Sequence, residues 1–267
     1  MILEMDVLNR IYEVCPVRSL YLSMVWFGLR PAFPKSSLHF GLHKVARLID
    51  EVEADGNIGE PESILQSCER FARYKGQWLK VAGFEKAEIL TTGFRYRPLL
   101  PHELITEFGA FVGYTAVRLG DMVRTHGEGR VISLEVNPIH VCVARHLLDL
   151  AALSPVSEVR PGQAKDALPW ISEECGSASV GFSFMDHRGT IFHKDFALLE
   201  KKSLFAPRSR FIADNTLNPG APQYLWMQNF QLTSTRIVQW ALTEFLAEHE
   251  DWTAVSDIDT IRNATDF

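Results

Sequence analysis

From about Ile105 onward, short apolar, β-prone runs alternate with stretches of helical period. The runs are Ile105–Phe108, Val131–Glu135, Val156–Pro161, Val180–Met185 and Ser209–Ala213. Between them lie helical patterns beginning at Tyr114 and spanning Pro138–Ala151, Ala164–Glu173 and Lys194–Lys201. Strands alternating with helices predict a parallel, doubly wound α/β sheet. Two further β-prone runs, Thr235–Thr243 and Trp252–Ile258, flank an acidic loop and read as an antiparallel hairpin on the sheet edge. Upstream, the spacing predicts extra helices over Leu42–Ala54, from Pro61 through Ile64, Cys68 and Phe71, and from Phe84 to about Thr92. Trp78–Gly83 is irregular, and Arg95–Pro101 is a loop. Residues 1–45 form an appendage, with one short amphipathic helix and a Pro-broken segment Arg30–Pro34, ahead of a domain at 46–267.

Composition narrows the class. The 267 residues suffice for one large α/β domain, and 46% apolar with 22% charged residues is ordinary for a globular chain. A net charge of −6 argues against a nucleic-acid partner. Cys15, Cys68, Cys142 and Cys175 are widely spaced, so neither a zinc site nor a disulfide framework is indicated, and a reducing, cytoplasmic setting is expected. The most apolar early run, Leu20–Leu29, is too short for a membrane span and lacks the features of a secretory signal. Its adjacent large side chains, Met24 to Phe27, suit a membrane surface, a homodimer contact through the extension, a cover for a pocket, or packing on its own domain.

Candidate chemistry gathers at the predicted carboxyl ends of the strands, where open α/β sheets bind ligands. Gly109 and Gly113 allow a tight turn into the helix at Tyr114, whose free N–H groups and positive dipole end favour a polar or anionic ligand. Glu135 closes the next strand, where an acid can take two ribose hydroxyls. Glu107, Asp186 and Asp214 also sit at or near strand ends, and Asn215 follows the last. Two carboxylates and an amide oxygen make a hard site suited to Mg²⁺. The plainer reading is that each residue caps a following turn.

The segment Glu107-Phe-Gly-Ala-Phe-Val-Gly-Tyr-Thr115, together with Glu135-Val-Asn-Pro138, Asp186-His187 and Ala213-Asp-Asn-Thr-Leu-Asn-Pro-Gly-Ala-Pro222, resembles the catechol O-methyltransferase family. Trp78-Leu-Lys-Val-Ala-Gly83 resembles that family's segment over the methyl donor. The likeness runs from about residue 60 to the end. It implies a Rossmann-like class I methyltransferase that uses S-adenosylmethionine and Mg²⁺ on a small-molecule acceptor. Glu107, Tyr114, Thr115 and the backbone around Ala82 and Gly109–Gly113 would then hold the methionine part of the donor. Glu135 would bind its ribose, and Ala164, Lys165 and His187 its adenine. Asp186, Asp214 and Asn215 would hold the metal. Trp78 and Pro219 would wall the acceptor, and Glu244 would hold its second hydroxyl.

One departure bears on mechanism. The family's general-base lysine falls at Gly189, and Arg188 stands where an aromatic is usual. A metal alone can lower the pKa of a phenol, with Lys80 or His193 as substitute bases. A carboxylic acid needs no base, and Arg188 would orient it. Two other classes stay open. One is a donor-binding protein without catalysis. The other is a dinucleotide oxidoreductase, although the glycine turn lacks G-x-G-x-x-G.

Overall fold

A computed structural model describes residues 35–76, 78–231, 235–243 and 250–258. The expected contacts of Leu20–Leu29 and the role of Glu244 fall outside these residues. Three helices lead in, α1 (Lys35–Asp55), α2 (Pro61–Tyr74) and α3 (Glu85–Tyr96). The alternating part follows as β1 (Leu104–Phe108), α4 (Tyr114–His126), β2 (Arg130–Glu135), α5 (Pro138–Leu150), β3 (Ser157–Pro161), α6 (Ala164–Cys175), β4 (Val180–Met185), α7 (Phe192–Lys201) and β5 (Phe205–Ala213). A short helix α8 (Pro222–Trp226) precedes the hairpin β6 (Thr235–Thr243) and β7 (Glu250–Ile258).

The sheet has seven strands in the order β3-β2-β1-β4-β5-β7-β6. The first five pair in parallel, and β7 pairs antiparallel with both β5 and β6. The expected doubly wound sheet with an antiparallel terminal hairpin is therefore present. Every residue of β1 and β4 is buried, as central parallel strands covered on both faces require. One core lies under α1, α2, α4 and α5 and includes Leu48, Ile64, Phe71, Val117 and Leu147. On the other face, Leu168, Phe196, Leu199, Phe211 and Tyr224 join α6, α7, α8 and β5. A third cluster seats Leu90 and Phe94 of α3 against Phe182, Phe184 and Ile212. The expected boundary near residue 45 falls inside α1, whose Val45 and Leu48 already belong to the first core. No helix among the described residues is long and apolar enough to cross a membrane.

Candidate active site

Parallel pairing carries four strand ends to one edge. The ladder runs a residue past the strands: Gly109 N–H donates to the Leu134 carbonyl at 2.9 Å, Asp186 N–H to Phe108 at 2.9 Å, and Asp214 N–H to Met185 at 2.9 Å. This edge includes the β1/β4 junction, where the strand order reverses and a crevice opens. A cavity of about 1010 Å³ lies over it. Ala82, Gly109, Glu135, Ala164, Lys165, Asp186, His187, Asp214 and Asn215, scattered along the sequence, all line it.

At the β2 tip, Glu135 is held by its own turn. Its two oxygens accept the N–H groups of Phe111 at 2.8 Å and Asn137 at 2.7 Å. Burial alone would raise this carboxyl, but His140 and those two N–H groups outweigh it and hold the group below its usual range. Asn137 also caps α5 by accepting from Ile139 N–H at 2.9 Å, with Pro138 at the first helical position. Phe111 adopts a left-handed φ of 48° to present its N–H, and its ring meets Trp78 and His140 edge-on. Gly109 has a φ of 95°, and a Cβ there would come within 2.9 Å of the Asp186 carbonyl, so the turn can pass the β4 tip only as glycine. His187 Nε2 lies 2.7 Å from Asp195 Oδ2, which orients the ring at the cavity wall.

Several expected donor contacts lie behind the wall. Glu107 is fully buried beneath the β1 tip, with no hydrogen-bond partner for either oxygen among the described residues. Gly113 and Thr115 belong to the turn and first turn of α4 and do not line the cavity. The Tyr114 hydroxyl is committed to Glu69 and accepts from Arg118 at 2.6 Å, which ties α4 to α2.

At the β4 and β5 tips, Asp186 and Asp214 each follow one member of the in-register pair Met185 and Ala213. The two carboxylates therefore start from backbone about one strand spacing apart, roughly 5 Å. Asp214 Oδ1 accepts from Thr253 at 2.9 Å, and Oδ2 lies 2.8 Å from the Lys86 ammonium. Asn215, in the left-handed region, donates its Nδ2 to Asp251 at 2.5 Å, which leaves its Oδ1 as the atom that could coordinate a cation. Lys86 is itself 3.8 Å from Asp251. Asp214 and Asp251 thus face one lysine, and Asp186 lines the same cavity. Burial pushes the Asp214 carboxyl above its usual range despite the opposing pull of Lys86. This surplus of carboxylate oxygens, with an amide oxygen beside it, fits a hard divalent cation. Among the described residues, no group of three or more His, Cys, Asp and Glu could hold an ion, so the third ligand of such a site would be the amide.

The residues expected around an acceptor are only partly brought together. Trp78, Lys80 and Arg188 line the cavity, whereas Pro219 is exposed and does not. His193 is also absent from the lining, which leaves it without a geometric case as a base. Gly189 is buried, and a Cβ there would stand 2.5 Å from the Gly220 carbonyl oxygen. No side chain fits at that position unless the 216–220 turn moves.

No protein-family profile matches the chain. It is 28% identical to the catechol O-methyltransferase of Mus musculus over 193 residues, 72% of this chain and 70% of that protein. It is also 28% identical to catechol O-methyltransferase B of Danio rerio over 179 residues, 67% of this chain and 66% of that one. The chain is similar to catechol O-methyltransferases. Among solved structures, the O-methyltransferase TomG of Streptomyces achromogenes, in complex with S-adenosylmethionine, superposes with a TM-score of 0.60 at 17% identity, covering 73% of this chain and 89% of that one. That likeness shows the shared Rossmann-like fold.

In this catechol O-methyltransferase-like chain, sequence reading missed Lys86, Phe111, His140 and Asp251 at the site. Lys86 left one trace. It stands four residues before Leu90, on the stripe with Phe94 that α3 buries, where a lysine needs a partner. Asp251 left none, because only the antiparallel return of β7 brings it to the β5 tip.

Proposed function

We propose that the protein transfers a methyl group from S-adenosylmethionine to an oxygen of a small acceptor, assisted by Mg²⁺. The observation that carries this reading is one shared cavity. One end offers the turn-held Glu135 carboxylate, and the other offers Asp186, Asp214 and Asn215. Glu135 would take the ribose hydroxyls, with Ala164, Lys165 and His187 beside the adenine. The backbone at Ala82 and Gly109 would serve the methionine end, with Glu107 buried directly behind that wall. The donor supplies an electrophilic methyl on its sulfonium, and a divalent cation at the trio would favour the ionised form of an oxygen bound to it.

The chain's own contribution is to align the acceptor oxygen with that methyl and to exclude water. Ionising a phenol of pKa about 10 at neutral pH costs roughly 4 kcal/mol. The packing around Gly189 shuts out a lysine at that position. Lys80 lines the cavity and is the remaining substitute base from sequence reading. A second reading rests on Arg188 at the same rim: a small carboxylic acid, already ionised, would pair with the guanidinium and yield a methyl ester. Residues 1–45 would cover the acceptor or form a homodimer contact. Light scattering on the full chain and on one beginning at Lys35 tests the dimer, and a monomer in both excludes it.

Radiolabelled donor with panels of catechols and small carboxylic acids tests the main reading. Methylated catechol that disappears with EDTA and returns with Mg²⁺ is expected. Donor binding without transfer to any acceptor would favour a non-catalytic binder. Binding of NAD in place of the donor would favour an oxidoreductase.

A further inference from the structure

Lys86 combines features that oppose one another. It is 5% exposed, so its charge is almost wholly desolvated. It stands in the first turn of α3, where the helix dipole disfavours a cation. The preceding Phe84 is in the left-handed region at a φ of 51°, which strains a non-glycine residue. The backbone is therefore strained at the residue that admits this lysine, and the lysine lies against the helix field. Its partners include Asp214 at 2.8 Å, the carboxylate that the methyltransferase reading gives to the cation, and Asp251 at 3.8 Å.

We propose that Lys86 is a resident counter-ion of the cation site: its ammonium shares Asp214 with the divalent ion, holds the strand tips together without it, and weakens its binding. The inference rests on the assignment of Asp186, Asp214 and Asn215 as the cation site. Its physical content is a repulsion. A unit charge within hydrogen-bond distance of a ligand carboxylate halves the negative charge that the Asp186–Asp214 pair offers. An incoming Mg²⁺ must either push the ammonium to the far side of Asp214 or bind more weakly. The metal-free protein keeps its fold because the lysine partly compensates the buried carboxylates.

The test is Mn²⁺ binding, followed by electron paramagnetic resonance, to the full-length wild type and to Lys86→Met. S-adenosylmethionine binding is measured calorimetrically on the same samples. The variant is expected to bind Mn²⁺ at least tenfold more tightly and to show a larger Mn²⁺-induced rise in melting temperature. A lysine that merely props up the ligands predicts the reverse, so equal or weaker Mn²⁺ binding overturns the proposal. Absence of Mn²⁺ binding in both proteins also overturns it, together with the cation site, and donor binding in those samples shows whether the donor half of the reading survives. Should Lys86→Met fail to fold, ¹⁵N spectra of the wild-type lysine ammonium groups decide. A slowly exchanging signal, missing in Lys86→Arg, is expected to shift on saturation with Mg²⁺. A signal unmoved by Mg²⁺ overturns the proposal.

Discussion

Burial pushes the Glu107 carboxyl up to about 8, and the charge of Glu135 adds to the rise. At neutral pH the group is therefore protonated in the free protein, whereas an unfolded chain would ionise it near 4.5. For an acid raised in this way the folded state loses stability as pH climbs from about 4.5 to about 8, because only the unfolded chain releases its proton over that window. A donor ammonium placed beside Glu107 would reverse the preference and ionise it. Donor binding at pH 7 is then expected to release nearly one proton, falling towards zero above pH 9, and affinity should rise from pH 6 to 8. Calorimetry in buffers of different ionisation enthalpy reads this directly. Glu107→Gln should abolish the proton release, weaken the donor by roughly tenfold, about 1.4 kcal/mol, and raise the melting temperature at pH 8. A proton count unaltered by the substitution would remove Glu107 from the donor site. This residue was legible in sequence because it is the one charged position in an otherwise apolar or β-prone strand.

The loop from Asn215 to Gly220 takes its shape from β7 rather than from its own sequence. Asp251 accepts from Asn215 Nδ2 at 2.5 Å, Asn218 N–H at 3.0 Å and Trp252 N–H at 2.8 Å, while Thr216 donates to the Trp252 carbonyl at 2.9 Å. Asp251→Asn puts a second amide opposite Asn215. Asn215 can keep its hydrogen bond only by turning its oxygen away from the proposed cation site or by facing the new carbonyl. The expected outcome is a 10–100-fold fall in Mn²⁺ affinity, of the order seen when a supporting partner of a metal ligand is lost, with circular dichroism unchanged (~10–100-fold). Unaltered affinity would show that β7 does not orient Asn215.

Tethers of this kind explain what sequence reading could and could not find. Central strands such as Val180–Met185 announce themselves because both faces are buried. The expected strand at Ser209 in fact begins at Phe205. Pro207, the left-handed Arg208 and a register shift against β4 mask its first half. Helix α1 likewise starts at Lys35, ahead of the apolar period that marks Leu42 onward. The acids at the strand ends were legible because the topology fixes where strands end. Lys86 and Asp251 were not, since a pair formed across α3 and β7 leaves no local spacing.

At the scale of the molecule, charge is distributed against its sum. The chain carries a net charge of −6, yet Lys80, Lys165, Arg188 and Lys194 stand exposed around the cavity. A cleft rimmed by cations raises the local concentration of anions and speeds their approach in a salt-dependent way. Lys165 and Lys194 lie on α6 and α7, at the end proposed for the donor, whereas Lys80 and Arg188 line the part proposed for the acceptor. The two pairs should therefore separate experimentally. For a catechol bearing a carboxylate, KM is expected to rise several-fold between 20 and 200 mM salt (about 20 and 200 mM, where the Debye length falls from roughly 20 to 7 Å). For a neutral catechol it should stay flat. Arg188→Gln should raise KM for the anionic acceptor about tenfold, the loss of one charge-assisted hydrogen bond of roughly 1.5 kcal/mol, and leave the neutral acceptor and the donor unaffected. Equal effects on both acceptors would assign Arg188 to holding the turn before Gly189 and would withdraw the carboxylate preference, while the carboxylates at the strand tips kept their roles.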